Sequence, residues 1–157
     1  MVDESIKIRT ARSEDALRLH ELHAASVRAL CAKHYANEII EGWLQSRTPS
    51  GYLPPIERAA IFVAELNNKI IGFGEATAGA IVAVYVDPSA TGQGVGRLIL
   101  DRALELTRGN RSGPVRVEST LNASSFYEHH GFVEVRRATV SRNQVEVPIV
   151  LMEHRAG

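Results

Sequence analysis

The stretch that decides the fold is Val84-Tyr85-Val86-Asp87-Pro88-Ser89-Ala90-Thr91-Gly92-Gln93-Gly94-Val95-Gly96-Arg97. It begins at the end of an apolar run, residues 80–86, that predicts a central strand. Three alternating glycines follow, and an amphipathic pattern then predicts a helix over residues 94–108. Backbone N–H groups at a helix start lack partners within the helix and, with the helix dipole, favour anions. The stretch therefore predicts a phosphate-binding turn, to which Arg97 adds a positive charge.

Several phosphate-binding turns fit such a pattern. A P-loop requires G-x-x-x-x-G-K-[ST], which this sequence lacks. A dinucleotide-binding fold places G-x-G-x-x-G directly after the strand, whereas five residues separate Val86 from Gly92 here. Glu118, at the end of the next predicted strand, could imitate the ribose-binding acid of that fold. A dinucleotide site and a glycine loop without a ligand therefore stay open as alternatives.

Two motifs resemble a known family. The run V-Y-V-D-P-S-A-T-G-Q-G-V-G-R-L-I-L resembles the acetyl-CoA pyrophosphate signature of the GNAT superfamily of N-acetyltransferases, commonly written [RQ]-x-x-G-x-[GA]. Gly94 and Gly96 match its small positions, whereas Thr91 stands where Arg or Gln is usual and removes one side-chain anchor. The block N-A-S-S-F-Y-E-H-H-G-F, residues 122–132, resembles the later family block N-A-x-x-F-Y-E-x-x-G-F. The resemblance covers most of residues 61–152.

The resemblance implies an acetyl-CoA site and no metal. Backbone groups on the predicted strand would meet the pantetheine and the acetyl carbonyl at Val84, Tyr85 and Val86. The pyrophosphate would be held by Gly92, Gln93, Gly94, Val95, Gly96 and Arg97. Asn122 would lie close to the pantetheine arm, although an Asn at a helix start can equally be a cap. Tyr127 would stand near the thioester sulfur.

Hydropathy patterning predicts the element order β-α-α-β-β-β-α-β-α-β-β in a single domain over residues 1–157. The resemblance makes this a GNAT-like α/β fold with a mixed, mostly antiparallel twisted sheet and flanking helices. The proline-rich residues 46–55 are predicted as a loop, and Pro148 predicts an edge strand or a bulge. The predicted core-facing stripe of the glycine-turn helix is Val95, Leu98, Ile99, Ala103 and Leu106.

Acetyl transfer to an amine needs a neutral amine, donors for the developing oxyanion and a proton for the leaving thiolate. A backbone N–H on the 84–86 strand is the expected oxyanion donor. Tyr127 suits the third task, because a phenol of pKa ~10 can protonate or hydrogen-bond a thiolate; an ordinary helix aromatic is the alternative. Glu118, Glu75 and His34 are candidate bases. The alternative for both glutamates is a solvated strand carboxylate.

The acceptor pocket is expected in the irregular regions around the second helix and the proline loop. His34, Trp43 and Tyr52 are the candidate acceptor-binding residues there. Simple packing in the core is the alternative for Trp43. His20 and His23 lie three residues apart on one predicted helix without a third ligand nearby, which favours ordinary core or surface histidines over a metal site.

Composition narrows the function further. The 157 residues are 45% hydrophobic and 23% charged, typical of one globular domain. Eighteen basic residues balance 18 acidic ones, which argues against a nucleic-acid binder. No apolar run approaches the ~20 residues of a membrane span, and no signal-peptide pattern is present. The single Cys31 cannot form an intramolecular disulfide, which fits a reducing, cytoplasmic setting.

The combined prediction is an acetyl-CoA-dependent N-acetyltransferase that uses direct attack by a primary amine in a ternary complex. A covalent enzyme intermediate is not expected, since no paired base is evident for Cys31. The acceptor would be a small-molecule or peptide amine, with no nucleic-acid or membrane partner, and a homodimer is conceivable. The alternatives are an acyl-CoA-binding regulatory module without turnover and, more remotely, a nucleotide-binding oxidoreductase.

Overall fold

The computed structural model describes residues 5–109 and 113–154. Short 3-10 turns over Ser13–Asp15, Pro49–Tyr52 and Pro88–Ala90 precede α1, α3 and α4. No helix in the described ranges combines the length and apolar character needed to cross a membrane. The strands and helices of these ranges are β1 Lys7–Thr10, α1 Ala16–Leu30, α2 Asn37–Gln45, α3 Leu53–Glu57, β2 Ile61–Leu66, β3 Lys69–Thr77, β4 Ala80–Val86, α4 Val95–Arg108, β5 Val115–Ser119, α5 Ser124–His129, β6 Phe132–Arg142 and β7 Val145–His154.

The strands form one sheet in the order β1-β2-β3-β4-β5-β7-β6. The β4–β5 pair is parallel, and the other neighbouring strands pair antiparallel. The predicted mixed, mostly antiparallel sheet with flanking helices is confirmed. The predicted order lacked one element, α3, which lies partly within the region predicted as a loop. Pro54 and Pro55 fall in the first turn of α3, where their missing N–H groups would have no helical partner anyway.

The sheet splits between its two parallel strands. β4 and β5 are paired only at Ala80↔Arg116 and Ile81↔Val117, and beyond these residues the strands diverge. Tyr35 connects the segment after β5 to β7, next to the gap. Its hydroxyl accepts a hydrogen bond from the Leu121 N–H at 3.0 Å and donates to the Pro148 carbonyl at 2.6 Å. The split creates an opening in the middle of the sheet.

The prediction that Pro148 marks an edge strand or a bulge was wrong, because β7 lies between β5 and β6. Pro148 pairs regularly with Thr139, and the irregularity of β6 lies elsewhere, between Glu134 and Arg136. The last pair of β7 with β5 is Ser119↔Val150. Pro148 lies past the end of β5 and therefore has no neighbour on that strand. A proline there costs β7 no hydrogen bond with β5.

Helices α1 and α4 cover opposite faces of the sheet. Phe73 of β3 packs in one buried cluster with Leu22 of α1. The next residue, Gly74, faces α4, where a Cβ would lie 2.7 Å from Ile99 Cγ2. Side chains alternate between the faces of a strand, so this helix approaches closely only because glycine lies beneath it. The buried residues of α4 are Val95, Ile99, Leu100, Ala103 and Thr107.

Two members of the predicted α4 stripe were wrong. Leu98 is 40% exposed and Leu106 is 38% exposed. Leu100 and Thr107 are buried in their place, so the buried face of the helix is rotated from the predicted one.

Candidate active site

A cleft of about 700 Å³ lies beside the end of β4, between the N-terminus of α4, the end of α1 and α5. We call it the large cleft. Gln93 is exposed and is not among its lining residues. The other residues that the sequence predicted for the cofactor all line it, and these are Val84, Tyr85, Val86, Gly92, Gly94, Val95, Gly96, Arg97 and Asn122.

The glycine turn holds a backbone shape that side chains resist. Gly92 and Gly94 both have φ of 81°, and no atom lies within 4 Å of a Cβ built on either. Such left-handed backbone favours glycine, and the open space lets a ligand approach the main chain. Gly94 is also the N-cap of α4, so the turn ends at the unpartnered N–H groups of a 14-residue helix. This arrangement fits a pyrophosphate.

Gly96 serves a different purpose. A Cβ there would lie 3.2 Å from Phe126 Cε1 and 3.3 Å from Phe126 Cζ. The small residue therefore lets the ring of α5 pack against the first turn of α4. The position that the family signature restricts to Gly or Ala thus couples the two helices that line the large cleft.

An ion pair fixes the start of the turn. Arg18 of α1 donates to Asp87 Oδ2 at 2.7 Å and to the Ile70 carbonyl at 2.8 Å. Asp87 Oδ1 accepts from the N–H and the hydroxyl of Ser89. Burial would raise the pKa of Asp87, but the hydrogen bonds from Ser89 and Arg18 lower the pKa to about 2. The turn is therefore tied to α1 by an ionised carboxylate.

Thr91, the departure from the family signature, has a local role. Its hydroxyl donates to the Pro88 carbonyl at 3.2 Å, and its side chain is exposed. The residue stabilises the 3-10 turn before the glycines.

Asn122 does not cap α5. The helix begins at Ser124, with Ala123 as its N-cap and no capping side chain. Instead, Asn122 Oδ1 accepts a hydrogen bond from Cys31 Sγ at 3.2 Å. Burial raises the pKa of Cys31 to about 11, which keeps the thiol protonated near neutral pH. Asn122 and Cys31 together form one wall of the large cleft.

Tyr127 lies below the lining residues, in the core. It is 4% exposed, and its ring lies 5.2 Å from the ring of Phe132 between centroids. Burial raises the pKa of Tyr127 above its usual value, and the nearby Tyr85 hydroxyl raises it further. The phenol is therefore neutral and keeps its proton. Its predicted role near the thioester stays a prediction.

A second, smaller cavity of about 250 Å³ lies on the α1 side of the sheet. We call it the small cavity. Four residues that the sequence singled out line it together: Trp43, Tyr52, Glu75 and Glu118. His34 differs from the expectation, because it lines the large cleft instead. It lies beyond the end of α1, in the turn that begins at Cys31 beside Asn122.

The two glutamates occupy different environments. Glu75 is half-buried, and burial raises its pKa, although Arg58 and Arg47 oppose this effect. Glu118 is exposed on β5. A carboxylate with a raised pKa is a better base at ordinary pH. Glu75 is therefore the better suited of the two to accept a proton.

Sequence reasoning missed three residues of the small cavity: His23, Arg47 and Arg142. His23 was expected as an ordinary core or surface histidine, and it is buried, with Nδ1 at 2.8 Å from the Tyr52 hydroxyl. Burial lowers the pKa of His23 well below its usual value, so the ring is neutral. Arg47 follows α2, and Arg142 is the last residue of β6. At such positions no periodic pattern distinguishes a cavity residue from a surface charge.

The large cleft and the small cavity share two residues, Tyr85 and Thr120. Both lie at the split, since Tyr85 belongs to the end of β4 that has no pairing with β5, and Thr120 follows β5. Ligands held in the two spaces would therefore meet between the diverging strands. Across residues 5–109 and 113–154, no group of three His, Cys, Asp or Glu side chains is placed to hold a metal ion.

Comparison with known proteins agrees with this geometry. A family model described as "Acetyltransferase (GNAT) domain" matches residues 57–134. The peptidyl-lysine N-acetyltransferase YjaB of Salmonella typhimurium is 30% identical over 139 residues, which is 86% of this chain and 88% of that protein.

Solved structures show the same fold. A GCN5-related N-acetyltransferase from Rhodopseudomonas palustris superposes with a TM-score of 0.91 at 25% identity, covering 99% of both chains. The PaiA N-acetyltransferase of Thermoplasma acidophilum, solved in complex with coenzyme A, superposes with a TM-score of 0.76 at 23% identity, covering 97% of this chain and 99% of that one.

The split sheet, the glycine turn and these matches define an acetyltransferase. The chain belongs to the GNAT family and is an N-acetyltransferase. The alternative of a nucleotide-binding oxidoreductase is thereby set aside.

Proposed function

We propose that the protein transfers the acetyl group of acetyl-CoA to the primary amine of a small molecule or peptide, by direct attack in a ternary complex. One observation carries the proposal: the large cleft and the small cavity share Tyr85 and Thr120 at the split of the sheet. Two substrates bound in separate spaces that touch at one point can react without a covalent enzyme intermediate.

Acetyl-CoA would occupy the large cleft, with its pyrophosphate on the glycine turn and Arg97 beside it. The left-handed Gly92 and Gly94 and the free N–H groups of α4 support this assignment. The pantetheine arm would run toward the split, past Asn122. The structural neighbour PaiA was solved in complex with coenzyme A, which supports the same class of ligand here.

The acceptor amine would enter from the small cavity and lose its proton to Glu75, directly or through water. β4 pairs with β3 along its length, but its other edge has no strand partner beyond Ile81. Backbone N–H groups on that edge are suited to stabilise the oxyanion of the tetrahedral intermediate. Deprotonation of the amine and stabilisation of the oxyanion thus each have a candidate group in this chain.

The departing thiolate would take a proton or a hydrogen bond from Tyr127. The raised pKa of this phenol means that it carries its proton into the reaction. Cys31 is not a candidate nucleophile, since burial keeps its thiol protonated. The acceptor of YjaB, by its name, is a peptidyl lysine; an amine on a flexible chain is one form that the acceptor here can take.

Release of free thiol from acetyl-CoA, measured against a panel of amines, tests the proposal. We expect amine-dependent thiol release, with the acetylated amine identified by mass spectrometry. Reactions without an amine measure background hydrolysis. Tight binding of acetyl-CoA with no amine-dependent release from either small amines or lysine peptides would contradict the proposed function.

A further inference from the structure

We infer that the acceptor carries a carboxylate as well as its amine, as a free amino acid does, and that Arg47, Arg142 and Trp43 bind this carboxylate. The inference rests on the proposed function, because it assigns the small cavity to the acceptor. It adds the chemical class of that acceptor and the residues that select it.

Two positive charges line the small cavity without an ion pair. Arg47 follows α2 and Arg142 ends β6, and both are half-buried. Among the residues that the structure describes, neither guanidinium forms an ion pair with a carboxylate. Both arginines lower the pKa of the same buried phenol, that of Tyr85 at the split, although burial raises this pKa more strongly. Two glutamates, Glu75 and Glu118, line the same cavity, and Arg47 lowers the pKa of Glu75, but neither carboxylate pairs directly with a guanidinium in the described part of the chain.

A neutral donor on a residue that lines the same cavity also lacks a partner. Trp43 is 4% exposed, and its indole Nε1 has no hydrogen-bond partner within the described residues. An indole N–H can only donate, and a buried donor without an acceptor is costly. A carboxylate supplies an acceptor for this group and for the guanidinium N–H groups of Arg47 and Arg142, with which no carboxylate of the described residues pairs.

The wall that carries these groups is held in place. Asn143, in the turn after β6, donates from Nδ2 to the Gly42 carbonyl of α2 at 3.0 Å. Val145 packs so tightly against the same helix that a Cβ at Gly42 would lie 2.5 Å from Val145 Cγ2. The residues next to these contacts are Arg142 and Trp43. Their separation is therefore fixed before a ligand arrives, which lowers the cost of binding it.

The size and the remaining charges of the small cavity fit a small zwitterion. Its volume of about 250 Å³ is below the ~300–1,000 Å³ of typical drug-sized sites. Glu75 and Glu118 supply negative charge to the same space, where they suit the ammonium end of the acceptor. An acidic side chain on a peptide could present the same carboxylate, but the small volume favours the free amino acid.

Matched acceptors that differ only in the carboxylate test the inference. The standard L-amino acids are compared with their α-carboxamides, and a lysine peptide flanked by glutamate is compared with the same peptide flanked by glutamine. We expect at least one amino acid to exceed its carboxamide in kcat/KM by about 10- to 100-fold, the range expected for a charged hydrogen-bonded contact. The carboxamide loses its ammonium proton more readily, so intrinsic reactivity does not explain such a preference.

Variants test whether these three residues cause the preference for the acid over the carboxamide. Arg47→Gln, Arg142→Gln and Trp43→Phe should each reduce the ratio of acid to amide, mainly through KM, while acetyl-CoA affinity stays unchanged. Arg142→Lys should retain part of the ratio. Arg137→Gln is the matched control: Arg137 lies on the same strand, is 67% exposed and pairs with Glu134, away from the small cavity.

The outcomes separate the inference from the proposed function. If carboxamides or neutral amines react as well as the acids, or if the ratio survives in all the variants, the inference is wrong and the proposed function stands. If only the glutamate-flanked peptide is preferred over the glutamine-flanked one, the carboxylate site stands. The carboxylate then belongs to a peptide side chain, and the free amino acid is wrong as the acceptor. If acetyl-CoA binds and no amine of any kind reacts, the proposed function fails and the inference with it.

Discussion

Glu75 sits where burial raises the pKa of a carboxyl group, beside the proposed path of the amine. As a base it must be ionised, so kcat/KM should fall as the pH drops through this pKa. Because the pKa is raised, that fall should occur at a higher pH than for an exposed glutamate. Glu75→Gln should remove the acidic limb of the profile and lower kcat by ~10²–10⁴.

A pH series of kcat/KM measures this effect, with Glu118→Gln as the matched control in the same cavity. Glu118 is exposed on β5. We expect the control to keep the acidic limb. A Glu75→Gln enzyme with the wild-type profile would assign the proton transfer to another group.

Tyr127 can be tested by removing one atom. Tyr127→Phe should leave acetyl-CoA affinity nearly intact but lower kcat by ~10² or more, if proton transfer to the thiolate limits the rate. An acetyl thioester with a better leaving thiol should restore turnover, since it needs the proton less. The comparison is made in single-turnover reactions, which isolate the chemical step. A phenylalanine variant with the wild-type single-turnover rate would leave Tyr127 as a packing residue.

At the scale of elements, the glycine turn is tested best at Gly94. Its φ of 81° strains any L side chain by about 1–2 kcal/mol, and the open space around its Cβ position means that strain, not collision, is the effect. Gly94→Ala should therefore weaken coenzyme A binding by about tenfold while circular dichroism stays native. Gly96→Val is a poorer choice, because its side chain would also press on Phe126.

Isothermal titration with coenzyme A provides the affinity. Gly51→Ala is a suitable control, because a Cβ there would meet only Thr48 Oγ1, at 4.0 Å. An unchanged affinity in a folded Gly94→Ala protein would remove the glycine turn from the cofactor site.

The Arg18–Asp87 pair links α1 to the glycine turn. Asp87→Asn should lower the free energy of unfolding at neutral pH by about 1–3 kcal/mol, the usual cost of losing hydrogen bonds to a charged group. The pKa of Asp87 is about 2, below the ordinary value of 3.8. The stabilisation is therefore complete above pH 3.8 and is lost as the pH falls toward 2.

Urea unfolding of the wild type and the variant at neutral and acidic pH checks this dependence. The difference between the two proteins should shrink as the pH falls through that window. A difference that stays constant down to pH 2 would mean that the charge of Asp87 is not what holds the turn.

The elements also show which features a sequence can predict. The β4–turn–α4 segment is a local motif, so most of the residues that the sequence predicted for the cofactor line one cleft in the structure. The rotated face of α4 and the interior position of Pro148 depend on which strands lie beside them. A proline and the spacing of hydrophobic residues predict only local structure. That β5 ends before it reaches Pro148 depends on how the strands assemble into the sheet.

The small cavity shows the same limit more strongly. Trp43, Tyr52, Glu75 and Glu118 could be proposed by residue type, because aromatic and acidic groups suit an amine site. Arg47 and Arg142 lie far apart in the sequence and come together only when the turn after β6 packs on α2. No spacing in the sequence predicts that contact.

For the whole molecule, the split of the sheet is the central feature. α1 and α4 cover opposite faces, and the opening between β4 and β5 connects the two spaces that they shelter. The opening lies at the parallel pair, because β4 and β5 are hydrogen-bonded at one end only. Antiparallel pairing holds the strands on either side of it together. The single domain over residues 1–157 and the homodimer stay predictions.

The most direct test of the account is an initial-rate study in which acetyl-CoA and an accepted amine are varied together. Direct attack in a ternary complex predicts double-reciprocal lines that intersect, and no acetylated protein in mass spectra of enzyme incubated with acetyl-CoA alone. Parallel lines, together with one acetyl group on the protein that a later amine removes, would show a covalent intermediate. That result would contradict direct attack in a ternary complex.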